Sequence, residues 1–214
     1  MNKIEVYKTE EDGKLVTGLK INDSKATLQD LLDAWQPLCD DESVSKQYAP
    51  AGCSICKGCQ VNCCNTAYVI PDLIAFKKMA AWFNYDYRQL LDKYYDQEKL
   101  EAGFLRMKPN PCIFLQDNIC TIYPVRTLIC RFYICTDILG DTQQLIYSIT
   151  WAGIAATQLF AEEQGLVSNN PSVSRTSFDL MLERLVNEYR NSDKVTQFLK
   201  AREYSDILLK PLIE

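Results

Sequence analysis

The chain has 214 residues, 47% hydrophobic and 24% charged with only 8 Gly and 8 Pro, which suits one well-packed domain and excludes a disordered or fibrous protein. A formal net charge of −5 argues against broad nucleic-acid binding through a basic face. There is no histidine, so Ser-His-Asp and Cys-His catalysis, HExxH zinc chemistry and every imidazole-ligated metal site are excluded. The chemical information lies in ten cysteines.

The opening MNKIEVYKTEEDGKLV is charged and lacks the apolar core of a signal peptide, so a cytoplasmic protein is expected. Residues 3–8 and 14–21 alternate apolar and polar positions about Glu11-Asp12-Gly13, which predicts a β-hairpin. Leu28, Leu31, Leu32 and Trp35 recur at helical spacing and predict a short helix that stops before Pro37. Residues 36–52 read as a polar loop. A helix is expected from near Pro71, with Ile74, Met79 and Phe83 among its buried positions, because proline suits a first helical turn. Another follows Asn84 or Asp86 through Tyr95. The segment Ile113–Ile122, with Gln116-Asp117-Asn118 at its middle, predicts a second hairpin with a cysteine beside each arm. One or two helical turns are expected over 125–133.

From Asp141 onward the pattern is helical only. Residues 143–164, ended by Gly165, are apolar on most faces and predict a central buried helix. Within it the stretch 145–161 is broken by Ser148, Thr150, Thr157 and Gln158 and is shorter than the ~20 apolar residues of a membrane span, so no membrane is expected as partner. Phe178, Met181, Leu182, Leu185, Val186 and Tyr189 form an amphipathic stripe. Val195, Phe198, Leu199 and then Ile207 to Leu212 predict one or two further helices. The expected fold is mainly α with small β-hairpins, a single domain over 1–214 wrapped around a cysteine-ligated metal centre. Its parts are an N-terminal hairpin and helix (1–50), a cysteine-cluster core (53–135) and a C-terminal helical part (141–214).

Cys53, Cys56, Cys59, Cys63 and Cys64 fall within twelve residues, and Cys112, Cys120, Cys130 and Cys135 within twenty-four. In a reducing compartment such groups point to metal binding or redox work rather than disulfides. The first four follow C-x2-C-x2-C-x3-C, the spacing of bacterial ferredoxin runs that hold [4Fe–4S] clusters, although Cys64 stands where ferredoxins have proline. Neighbouring side chains such as those of Cys63 and Cys64 diverge, so one is spare or the two serve different sites. The second group lacks compact zinc-finger spacing and makes sense as remote ligands brought to the first. Nine clustered cysteines supply two four-thiolate sites with one left over. Two [4Fe–4S] clusters are therefore expected, with thiolate-held zinc as the alternative. Cys39, standing apart, reads as a core residue. Residues 53–135 carry seven acids against ten bases, which makes the cysteine region the one net-positive part of the chain and would favour thiolates or an anionic cluster.

The blocks Cys56-Lys-Gly-Cys59-Gln-Val-Asn-Cys63-Cys64 with Tyr68-Val-Ile-Pro-Asp72, and Pro111-Cys112-Ile-Phe-Leu115, Cys120-Thr-Ile-Tyr123-Pro-Val-Arg126 and Cys130-Arg131-Phe-Tyr-Ile-Cys135, resemble the two signatures of the CxxCxxCC zinc- or iron-chelating proteins, the YkgJ-type cysteine cluster family. The resemblance implies metal or cluster binding through these cysteines. Two departures stand out: Arg126-Thr127 replaces the usual Arg-Pro, and an extra Cys-x2 unit precedes the first block. In that second respect the chain is similar to the flagellin lysine-N-methylases, which share the cluster and use S-adenosylmethionine, although no glycine-rich cofactor loop is seen. Arg126 and Arg131, inside the second block, either bond cluster sulfurs and an anionic ligand or pair with acids of the helical part. Tyr68, Tyr123 and Tyr133 read as shielding residues. The run Trp82-Phe83-Asn84-Tyr85-Asp86-Tyr87 reads as packing, or as a substrate platform. Electron transfer or a redox step, with a partner redox protein, is the leading expectation. A methylase-like enzyme and a structural zinc module are the alternatives.

Overall fold

The computed structural model describes residues 2–41, 63–65 and 68–213, with the Cys63 side chain left aside. Cys53, Cys56 and Cys59 lie outside the described residues. Strands β1 (Ile4–Glu11) and β2 (Lys14–Ile21) pair antiparallel in the register Ile4↔Ile21 to Glu11↔Lys14. Asp12 and Gly13 close the hairpin with φ of 52° and 74°, the left-handed pair that a two-residue Asp-Gly turn supplies. Tyr7 faces Gly18 across the pair, and its ring lies where a side chain at 18 would stand.

Thr27 and Asp30 form a capping box on α1 (Leu28–Asp40), which buries Leu28, Leu31, Leu32, Trp35 and Cys39. The helix does not stop before Pro37 but carries it internally. Proline removes one N–H, which orphans the carbonyl four residues back, at Asp33. Both Asp33 and Pro37 lie on the exposed face, where an orphaned carbonyl is open to solvent at little cost, and the last turn survives. That extra turn carries Gln36 and Cys39 toward the cysteine region.

Asp72 caps α2 (Leu73–Phe83), and a capping box of Asp86 and Gln89 opens α3 (Tyr87–Tyr94). A short α4 (Gln97–Glu101) follows. The second hairpin is β3 (Leu115–Gln116) with β4 (Ile119–Cys120), turned by Asp117 and Asn118 at φ of 49° and 61°. Next come α5 (Leu128–Phe132) and a two-residue β5 (Asp137–Ile138), which joins β2 in parallel to complete a sheet ordered β1-β2-β5. The centre is α6 (Gly140–Glu163), packed against α2, α5, β2, α7 (Ser177–Tyr189), α8 (Asp193–Lys200) and α9 (Lys210–Ile213). The fold is mainly α with small β elements, as its hydrophobic periodicity predicts. Among the described residues no helix is long and apolar enough to cross a membrane.

The stripe of α7 is rotated from its expected face. Leu182 and Val186 are buried, but Met181 is 43% exposed and Asp179 is fully buried. The cause is electrostatic. Lys99 of α4 meets Asp179 at 2.5 Å and Tyr68 donates to it at 2.9 Å, and this pairing draws the carboxylate side of the helix inward.

Candidate metal centre

The two cysteine blocks meet through the backbone. Cys64 lies in a single helical turn, Cys63–Asn65, and its carbonyl accepts the N–H of Cys112 at 2.8 Å. Cys112 opens the β3–β4 hairpin: its own carbonyl accepts from Leu115 N–H at 2.8 Å, and Leu115 stands opposite Cys120. The hairpin is anchored behind by Ile113 N–H to the carbonyl of Lys108. Phe114 also stacks on Phe83 and Tyr94 at 5.9 and 4.8 Å. Phe83 in turn stacks on Tyr85, and Tyr87 on Phe76, so these three aromatics of the run brace the hairpin and pack the core, whereas Trp82 is 52% exposed.

Cys130 completes the group. It is the third residue of α5, with its N–H on the carbonyl of Thr127 at 3.0 Å. Cys64, Cys112 and Cys120 all lie close enough for their charges to act on it. Burial raises the thiols of Cys112, Cys120 and Cys130, Cys112 to about 11, and the neighbouring cysteines push in the same direction. Two N–H groups oppose this: Phe114 donates to the Cys112 sulfur and Ile122 to the Cys120 sulfur. Each donor lies two residues beyond its cysteine. Backbone donors of this kind stabilise the thiolate, the form that binds metal.

Arg126 supplies the positive charge. It is buried, donates to the Tyr123 carbonyl and to Gln36 Oε1, both at 3.1 Å, and lies 3.5 Å over the Tyr123 ring. Among the described residues it forms no ion pair, and its charge lowers the thiols of Cys39, Cys120 and Cys130 against the effect of burial. Arg131 plays a different part. Its carbonyl accepts the Cys39 thiol at 3.3 Å, and its guanidinium stands 5.5 Å over the Tyr204 ring. Cys39 is thus a buried core residue hydrogen-bonded to backbone. Cys135 lies beyond α5, at the bend before β5.

Tyr123 is half-buried against Arg126, Tyr133 is 54% exposed and Tyr68 is held by Asp179. Among the described residues the cysteines form no disulfide, and no three Cys, Asp or Glu side chains are grouped tightly enough to hold an ion. Cys64, Cys112, Cys120 and Cys130 nevertheless offer four sulfurs from two segments in a partly buried setting with a nearby cation, a chemistry that zinc and iron accept and that magnesium or calcium does not.

For two participants the sequence does not signal what they bind. Gln36, expected in a loop, reaches Arg126 because α1 continues through Pro37. Asp72 is visible as an acid ahead of an apolar helix, which marks a helix cap but not its bonds to residues far along the chain.

Residues 55–150 match the family model described as CxxCxxCC, putative zinc- or iron-chelating domain. The match spans Cys56 through Cys135 together with both arginines, and it bears out the resemblance carried by the two blocks. Metal binding is what this family's description supports. No curated protein and no solved structure matches the chain.

Proposed function

We infer that the protein holds two thiolate-ligated metal centres of the [4Fe–4S] type and passes electrons through them. The observation that carries this reading is the Cys64–Cys112 backbone link, which puts a first-block cysteine among three from the second block. Cys64, Cys112, Cys120 and Cys130 then form one ligand set. Cys53, Cys56, Cys59 and Cys63 form the other, with the ferredoxin-run spacing, and Cys135 is left over. This division answers the adjacency problem, since Cys63 and Cys64 serve different centres. A cluster of this kind supplies one-electron transfer. The chain's own groups tune it: the N–H groups of Phe114 and Ile122 bond ligand sulfurs, Arg126 offsets negative charge, and Phe114 and Leu128 limit water.

Anaerobic purification with iron, sulfide and zinc analysis tests the reading. Two cubanes give about eight irons per chain and a broad band near roughly 400 nm. Cys64→Ser and Cys56→Ser should each remove about half of the iron. Two zinc ions with no sulfide would replace the reading with a structural zinc module, and a metal-free wild-type protein would overturn it.

A further inference from the structure

Asp72 is 1% exposed and has no cationic partner among the described residues. A buried carboxylate so placed needs every lone pair engaged, and four donors reach it. Oδ1 accepts Ala75 N–H at 3.0 Å and the Tyr204 hydroxyl at 3.0 Å. Oδ2 accepts the Thr127 hydroxyl at 3.0 Å and Leu128 N–H at 2.9 Å. Its backbone N–H donates back to Thr127 Oγ1 at 3.0 Å. One side chain therefore caps two helices, its own α2 and the Cys130-bearing α5.

Thr127 occupies the N-cap position of α5 but makes no side-chain cap to it; its hydroxyl is turned to Asp72 instead. Thr127 in turn holds Cys130, whose N–H it accepts. On the far side α6 makes room: a Cβ on Gly153 would stand 2.7 Å from the Asp72 Cβ. The arrangement costs a helical glycine and a buried charge, more than capping α2 alone requires.

The geometry points to Asp72 as a positioning residue for the metal centre. It fixes α5, and with it the Cys130 sulfur, against the segment that leaves Cys64, and so sets how firmly that centre holds its metal. This rests on the metal-binding reading above. An equally good helix cap without the reach to Thr127 and Leu128 keeps α2 and loosens the centre.

The test measures metal release from anaerobically purified full-length protein to a chelator in excess. Asp72→Ser keeps a cap for α2 and should release metal 10- to 100-fold faster than wild type, the range seen when groups orienting metal ligands are removed. Thr127→Val, which leaves Asp72 in place, should do the same, while Thr127→Ser restores the hydroxyl and the wild-type rate. Asp86→Ser, a cap substitution on α3 away from the cysteines, controls for lost stability and should leave release unchanged. If Thr127→Val and Thr127→Ser release metal alike, or if Asp86→Ser speeds release as much as Asp72→Ser, the positioning role is refuted while the metal centre stands. A wild-type protein without metal refutes the reading beneath it.

Discussion

The Lys99–Asp179 pair gives the sharpest energetic prediction. Side-chain exposure is 8% for Lys99 and 0% for Asp179, and their separation is 2.5 Å. Replacing Lys99 with Met removes the charge while keeping much of the length. Asp179 would retain the Tyr68 hydroxyl at 2.9 Å and Thr176 N–H at 2.8 Å, but no cation. Breaking a buried pair from one side costs about 3–5 kcal/mol, because the remaining charge stays desolvated. For a chain of this size that is a fall of roughly 6–20 °C in Tm, taking about 2–4 °C per kcal/mol. The comparison is Lys3→Met, which breaks the exposed pair with Asp30 (45% and 29% exposed) and should cost under about 1 kcal/mol. Urea unfolding of both variants reads the difference as a shift in midpoint at constant slope. Acid gives a second signature. Burial works against the Asp179 carboxylate, yet the bonds from Lys99, Thr176 and Tyr68 outweigh it and hold its carboxyl below the usual value. A carboxyl lowered by folding stabilises the fold above the unfolded value near about 3.9 and loses that contribution as pH falls through the folded one. The gap between wild type and Asp179→Asn should therefore narrow below about pH 4. If Lys99→Met costs no more than Lys3→Met, the account of why α7 is rotated is wrong.

Two more substitutions probe the surroundings of the site. Gly153→Ala brings a methyl to 2.7 Å from the Asp72 Cβ and 3.2 Å from the Phe198 ring; overpacking of about 1–3 kcal/mol should exceed the ~1 kcal/mol gained in helix propensity, and a raised thermal midpoint would contradict the close approach. Cys39→Ser keeps a donor for the Arg131 carbonyl and should leave the metal content unchanged by elemental analysis, whereas any loss of metal would put Cys39 among the ligands.

Where the sequence predicts the fold well, the determinants are local. Asp12-Gly13 and Asp117-Asn118 carry their own left-handed turns, and both hairpins form about them. The stretch 143–164 has so little polar surface that only a central position suits it, and α6 occupies one. Where the sequence misleads, the determinant is far away. Pro37 ends a helix on local rules, but the carbonyl it orphans, at Asp33, lies on an exposed face. Met181 belongs on the buried face by periodicity, but Lys99, eighty residues earlier, turns Asp179 inward in its place. The two-residue β5 has no periodicity to detect, and its pairing with β2 depends on the path of the chain after α5. In the candidate site, the grouping of the second-block cysteines with one another follows from their spacing. The nearness of Cys130 depends on Asp72, whose partners other than Ala75 are 55 to 132 residues away.

The five residues from Tyr68 to Asp72 tie the site to its scaffold, and the two ends are tied differently. Tyr68 donates to a carboxylate whose charge Lys99 already balances, and Asp72 accepts four donors with no cationic partner among the described residues. Both anchors rest on a buried carboxyl, Asp179 at one end and Asp72 at the other, so a shifted register would leave unsatisfied groups on both sides, at about 1–3 kcal/mol each. An apolar segment of the same length could slide at far smaller cost. Residues 68–72 are thus held in one register before any metal arrives, and so is α5, which shares the second anchor. Thiols positioned in advance lose less conformational freedom when a metal gathers them, and this is how a predominantly helical scaffold with short loops can serve a site drawn from both ends of an eighty-residue span.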